Sequence, residues 1–285
     1  MKVASLHIYP LKGGRGVDVR EVSLDRIGLE GDRRWMVIDA NARFVTQRTH
    51  PTLATLDASI EGDGLRLAAP DGASTLARPT SGRIDATIWR SEPSVALAND
   101  AANDFVSAHL NGDFRLVAFD ASSSRRTNDN WADAAVSLAD GYPVLTALTR
   151  SLVALNDDIV AAGGEPVGMD RFRPNIVIEG APAWDDDGWG SIRVGDAVLD
   201  LVKPCDRCTV TQVEQGTGTR TGNEPLDTLK RVRRSADGRV PGVLFGWNAV
   251  PRSAARIAVG DAVEVIERRR PWPIRPAGEG SRAAF

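Results

Sequence analysis

Cysteine is nearly missing from this chain of 285 residues: there are two, Cys205 and Cys208. Thiols so few and so close together cannot staple a secreted fold, which leaves reduced thiols in a reducing compartment. Histidine is as scarce, and His7, His50 and His109 stand far from the cysteines and from one another, so a structural zinc site lacks its ligands. No apolar run approaches the roughly 20 residues that span a bilayer. The N-terminus lacks the charged, apolar and small-residue regions of a signal peptide. Thirty-five Lys and Arg against 38 Asp and Glu give a net charge of −3, which provides no basic field for nucleic acid or an anionic membrane. Together these absences predict a cytoplasmic protein with no nucleic-acid or membrane partner.

What is present reads as a globular chain long enough for about two domains. Short alternating segments recur: Val3 to Tyr9, Val17 to Leu24, Trp35 to Asp39, Leu53 to Ile60, Leu65 to Ala69, Arg83 to Trp89 and Ser94 to Ala98. Their spacing of about 8–12 residues, with Gly-Asp-Gly and Asp-Gly turns between, predicts a β-barrel or sandwich. A helix is expected from Asn99 to Leu110, closed by Asn111-Gly112. In the second half, apolar residues at Val144, Leu145, Leu148, Leu152, Val153 and Leu155 follow helical spacing, ending at Gly163-Gly164. Strands are expected at Phe114 to Phe119, Ile176 to Ile178, Trp189 to Leu201, Thr209 to Val213, Leu244 to Val250 and Ala262 to Ile266, with a basic helix after Pro225. The fold class is therefore mainly β, of α+β type. From Arg268 the composition turns to Pro, Gly and Arg, which predicts a poorly ordered tail over 268–285.

Both cysteines sit in Lys203-Pro204-Cys205-Asp206-Arg207-Cys208. A cation beside a thiol favours the thiolate, the form that attacks electrophiles and binds soft metals. A thioredoxin-type site would open a helix, whereas Thr209 to Val213 reads as strand. Burial for packing alone sits awkwardly with Lys203, Asp206 and Arg207. Two further cationic turns, Asp32-Arg33-Arg34 and Arg171-Phe172-Arg173, stand at strand ends. Lys12 and Arg15 flank glycines in Leu11 to Gly16, a turn that reads as a phosphate loop or, more simply, a solvated basic hairpin. If the three arginine-bearing turns converge, they form a cationic pocket around a thiolate. That pocket suits a ligand anionic at one end and thiophilic at the other, such as a phosphorylated dithiolene-pterin carrying molybdenum.

Several ordered blocks resemble the MOSC domain family: Arg171-Phe172-Arg173-Pro174-Asn175-Ile176-Val177, Lys203 to Cys208, Glu224-Pro225-Leu226-Asp227-Thr228-Leu229 and Leu244-Phe245-Gly246. Tyr9-Pro10-Leu11-Lys12-Gly13 and Asp32-Arg33-Arg34-Trp35 are similar to the β-barrel preceding MOSC in amidoxime-reducing proteins. The resemblance implies an N-terminal β-barrel domain over 1–112 and a MOSC β-barrel domain with a few helices over 113–267. It implies molybdenum cofactor (molybdopterin) held by Cys208 as metal ligand, with Lys12, Arg33, Arg173 and Asn175 holding the pterin and its phosphate. Gly13, Gly141, Tyr142, Asp206 and Arg207 are implied to bind the cofactor as well, and Asp140 matches an acidic residue lining the site. Asp140 or Asp206 then serves as proton relay or charge partner. Four positions depart from the pattern: Gly13 and Asp206 stand where those reductases have serine, and Gly141-Tyr142 replaces two hydroxyl-bearing residues. The implied activity is reduction of small N-hydroxylated compounds (amidoximes, hydroxylamines, N-hydroxylated base analogues). Electrons would come from a separate ferredoxin- or cytochrome-type protein with its reductase. A non-catalytic cofactor or sulfur carrier is the alternative, and pyridoxal phosphate binding attaches to the family label alone.

Overall fold

The structure, a computed structural model, describes residues 1–275. In chain order the first half forms β1 (Lys2–Ile8), β2 (Val17–Val19), β3 (Glu21–Asp25), β4 (Gly28–Leu29) and β5 (Trp35–Asp39). Then come β6 (Asp57–Glu61), β7 (Gly64–Ala68), β8 (Ser74–Ala77), β9 (Pro79–Asp85), β10 (Ser94–Ala98) and helix α1 (Asp100–Leu110). The second half holds β11 (Phe114–Ala118), β12 (Val144–Leu148), α2 (Thr149–Ala161), β13 (Ile176–Glu179), β14 (Trp189–Val194) and β15 (Ala197–Asp206). Short β16 (Val213–Glu214) and β17 (Thr219–Arg220), helix α3 (Leu226–Val232), β18 (Leu244–Pro251), β19 (Ala255–Ala258) and β20 (Val263–Arg268) follow.

The largest sheet runs β2-β1-β13-β12-β18-β15-β14-β20. Its first two strands come from the start of the chain, and Leu6 faces both Val19 and Ile176 across antiparallel pairings. Strands β12 and β13 are parallel, which requires a long crossover; α2 supplies it. In the other direction, β19 from the C-terminal part pairs with β3. A second sheet, β5-β11-β10-β9, separates two cores. Side chains alternate across a strand, so Trp35 and Val37 of β5 join Leu11, Leu53 and Leu116, while Met36 and Ile38 join Ala86, Val95 and Val117. That double burial explains why Trp35-Met36-Val37-Ile38 is apolar without a break.

The mainly β reading agrees with the structure, and several local expectations change. Val144 to Leu148 is a strand, and the helix starts only at Thr149; a buried apolar run has no period that separates the two. Pro51–Thr55 is a turn of 3-10 helix before β6, since proline presets its first turn. The expected strand over Arg83 to Trp89 stops at Asp85. Thr209–Gln212 is a single 3-10 turn and the strand expected there is reduced to Val213–Glu214; Cys205 lies inside β15, so the pair does not open a helix as a thioredoxin-type site would. Residues 268–275 are packed: Arg269 donates from its backbone N–H to the Gly188 carbonyl, and Trp272 meets Trp247 edge-on at 6.0 Å. The rest of the expected tail, 276–285, lies outside the described residues. No helix among the described residues is long and apolar enough to cross a membrane.

Candidate functional site

Strand β15 carries the chain along β18 until Asp206, opposite Leu244. Cys208 then opens the 3-10 turn, its carbonyl accepting from the Thr211 N–H and hydroxyl. Both cysteines are partly buried free thiols. Burial pushes the Cys205 thiol up, with Arg207 opposing. The Cys208 sulfur receives a guanidinium N–H of Arg48 at 3.2 Å. Lys203 pairs with Asp206 at 2.6 Å between the two cysteines.

These residues line one cleft of about 950 Å³ together with residues of the N-terminal third. Lys12, Gly13, Arg33, Asp140, Gly141, Tyr142, Arg173, Asn175, Asp206, Arg207 and Cys208 all reach it. The three arginine-bearing turns therefore converge through Arg33, through Arg171 and Arg173, and through Lys203 and Arg207. Arg34 does not take part; it turns toward Asp25 at 3.6 Å. Ten Lys and Arg side chains line the cleft against three Asp, so a chain of net charge −3 carries a strongly cationic hollow.

Tyr9 holds two of these arginines. Its buried ring lies 4.4 Å from the Arg33 guanidinium and 4.2 Å from that of Arg173, and its hydroxyl donates to the Pro174 carbonyl. Burial, its largest influence, pushes the Tyr9 phenol well above its ordinary range despite the two cations. Arg33 donates to buried Asp32 at 2.6 Å, to Asn175 Oδ1 at 3.1 Å and to the Arg173 carbonyl. Asn175 is fully engaged by the protein, accepting also from the Leu145 N–H and donating to the His7 carbonyl. Its direct effect is to fix Arg33 against three strands. Arg173 donates one arm to Gln215, while its Nη2 is buried with no protein partner. Burial lowers Arg173 to about 10, which marks the cost of a guanidinium held there. Arg207 spends its donors on the carbonyls of Phe172 and Phe245. It anchors two motif blocks to each other and leaves its charge at the cleft wall.

Lys12 is buried, so Leu11 to Gly16 is not a solvated hairpin turn. Its ammonium donates to the Leu138 carbonyl at 2.9 Å and pairs with Asp140. Burial lowers it to about 8, with Asp140 opposing. Asp140 is 66% exposed as a side chain, yet the surface it exposes lines the cleft. Desolvation pulls its carboxyl up, and Lys12, Arg48 and Arg33 outweigh that and hold it well below the usual range. Tyr142 is pushed up to about 12 by burial and donates to the Asn128 carbonyl. Gly141 has open space where a side chain would begin.

Sequence reasoning gave Arg48, Trp89 and Arg125 no place in the site. Arg125 is buried and donates to the carbonyls of Ser137, Ala139 and Asp140, which shapes the wall around the carboxylate. Trp89 donates its indole N–H to Asp140 at 3.4 Å. An isolated Arg in Gln47-Arg48 and a Trp after Thr87-Ile88 carry no local signal of such contacts.

A MOSC N-terminal beta barrel domain model matches residues 1–113, and a MOSC domain model matches residues 133–264. The chain belongs to the MOSC family. Mitochondrial amidoxime-reducing component 1 of Homo sapiens is 31% identical over 284 residues, covering 93% of this MOSC chain and 82% of its own length. The same component of Mus musculus is 32% identical over 289 residues, covering 93% and 82%. Human component 2 is 31% identical over 245 residues, covering 81% of this MOSC protein and 72% of itself.

Proposed function

We propose that this protein is a molybdenum-cofactor-dependent oxidoreductase that reduces small N-hydroxylated compounds. The observation that carries it is the meeting of the cysteine pair, Cys208 among them, with Lys12, Arg33 and Arg173 in a single cation-lined cleft. The donor set fits such a cofactor. The buried Arg173 Nη2 has no protein partner, which an anionic phosphate or pterin oxygen would satisfy. Among the described residues no group of three or more His, Cys, Asp or Glu converges, so a metal held here must bring most of its own ligands. A dithiolene-pterin does that and needs one thiolate from the protein.

Cys208 would hold the metal, and Lys12, Arg33 and Arg173 the anionic part of the cofactor. When bound, the cofactor supplies two-electron removal of oxygen from the N-hydroxyl group. The chain's own work is positioning. Asn175 and Asp32 fix Arg33, Arg125 fixes the wall at Asp140, and Asp140 neutralises Lys12. A carboxyl held so far below its usual range keeps its charge near neutral pH, which supports Asp140 as charge partner over Asp140 as proton donor. Electrons would arrive from a separate ferredoxin- or cytochrome-type protein with its reductase.

Protein purified from a host able to make the cofactor tests the reading. One equivalent of tightly held molybdenum and reductant-dependent loss of an N-hydroxyl group are expected. Metal-free protein that accumulates persulfide on Cys208 or Cys205 would replace this reading with that of a sulfur carrier.

A further inference from the structure

Trp89 stands in a conformation that its size makes costly. It is the first of two residues in a tight turn in which Ile88 and Ser91 exchange both backbone hydrogen bonds, and its φ is 55°. Glycine is usual at such a position, and a bulky side chain there is strained. Burial does not compensate: the residue is 48% exposed, while Ile88 beside it is fully buried.

The exposed ring is nevertheless held still. Phe44 packs against it with centroids 5.0 Å apart, the Arg48 guanidinium lies 4.7 Å from its centre, and its N–H points to Asp140. Arg48 in turn donates to Cys208 Sγ. The ring is therefore one guanidinium away from the sulfur, along the cleft wall. A strained, half-open and clamped aromatic in the wall of a polar cleft offers a flat π-surface to something flat.

We propose that Trp89 is a specificity-determining residue, a stacking platform that favours ligands with a planar aromatic body over saturated ones bearing the same reactive group. The proposal rests on the reading above only for the identity of that reactive group, an amidoxime. An aromatic pair adds about three- to tenfold in affinity beyond area burial, and this is the selectivity expected.

Benzamidoxime and cyclohexanecarboxamidoxime share the N-hydroxyl group and nearly the same size and differ in ring planarity. Their affinities for the purified protein are measured by titration calorimetry for the wild type, Trp89→Gly and Trp89→Phe. Glycine relieves the backbone strain, so loss of the ring is separated from loss of fold, which melting curves check. The wild type should bind benzamidoxime about three- to tenfold more tightly, Trp89→Gly should bring the ratio close to one, and Trp89→Phe should keep most of it. Equal affinities in the wild type, a ratio unchanged in Trp89→Gly, or no binding of either compound would overturn the platform. Selective binding that depends on Trp89, without reduction by cofactor-loaded protein, would keep the platform and remove the reductase reading.

Discussion

An N–H of Arg48 points at the sulfur of Cys208 from 3.2 Å, across 160 residues of sequence. Cys208→Ala is expected to abolish molybdenum retention, and Cys205→Ala to leave it largely intact. Arg48→Ala should weaken retention or activity by about 10- to 100-fold, as loss of a group that orients a ligand does. Elemental analysis of the purified variants reads all three. Retention unchanged in Cys208→Ala and lost in Cys205→Ala would reverse the ligand assignment.

Lys12 links the site to pH. Burial has brought it to about 8, so its charge is present below that value and is lost as pH rises through it. If its ammonium holds the anionic part of the cofactor, retention should decline above about pH 8. Lys12→Arg, which stays charged, should remove that decline. Asp140→Asn deletes the main influence opposing desolvation, so the decline should move to lower pH. A retention profile that is flat from pH 7 to 10 in the wild type would exclude Lys12 from this role.

Asp186 gives a separate pH effect, on stability. It lies buried beside Asp187, which Arg233 holds through both oxygens at 2.9 and 2.8 Å. Burial first and Asp187 second push Asp186 up to about 7. Between about pH 4 and 7 this group then holds more proton in the folded chain than in the unfolded chain. Stability contributed by this group therefore falls as pH rises through that window and levels off above it. Asp186→Asn should flatten the slope and raise stability at pH 8 by roughly 1–3 kcal/mol, as measured by denaturant unfolding.

The glycines of the motif blocks are not equivalent. A Cβ at Gly13, whose φ is 83°, would stand 2.5 Å from Leu53 Cδ2. One at Gly246, with φ of 74°, would run into the Thr146 carbonyl oxygen. Gly13→Ser and Gly246→Ala should each cost on the order of 2 kcal/mol or more. Gly141→Ser, with open space around it, should stay within about 0.5 kcal/mol of wild type. Thermal melts of the three variants rank them.

The strands that alternate or carry β-branched runs, such as Trp35–Asp39 and Ile176–Glu179, were legible because their burial is written in their own residues. The candidate site was legible where it consists of motif blocks: Lys12, Arg33, Arg173 and Cys208 were all named from sequence, and all reach the cleft. Arg48, Trp89 and the bracing role of Arg125 were not, because each gains its meaning from a partner about 15 to 160 residues away. Residues 268–275 misled for a related reason. Pro, Gly and Arg usually mark loose ends, but Arg269 lies over Trp247 at 3.8 Å and donates to the Leu201 carbonyl, contacts that composition does not show.

The pairing of β1 with β13 also sets an order of events during synthesis. Leu6 leaves the ribosome before its partner Ile176, which follows about 170 residues later. At roughly 5–20 residues per second that is a wait on the order of ten seconds or more, during which the edge of β1 opposite β2 stays unpaired. The cleft cannot close around Lys12 and Arg33 until the second half has been made. Newly made chains should thus depend on protection of their first strand, and the site should become competent only in a late, concerted step.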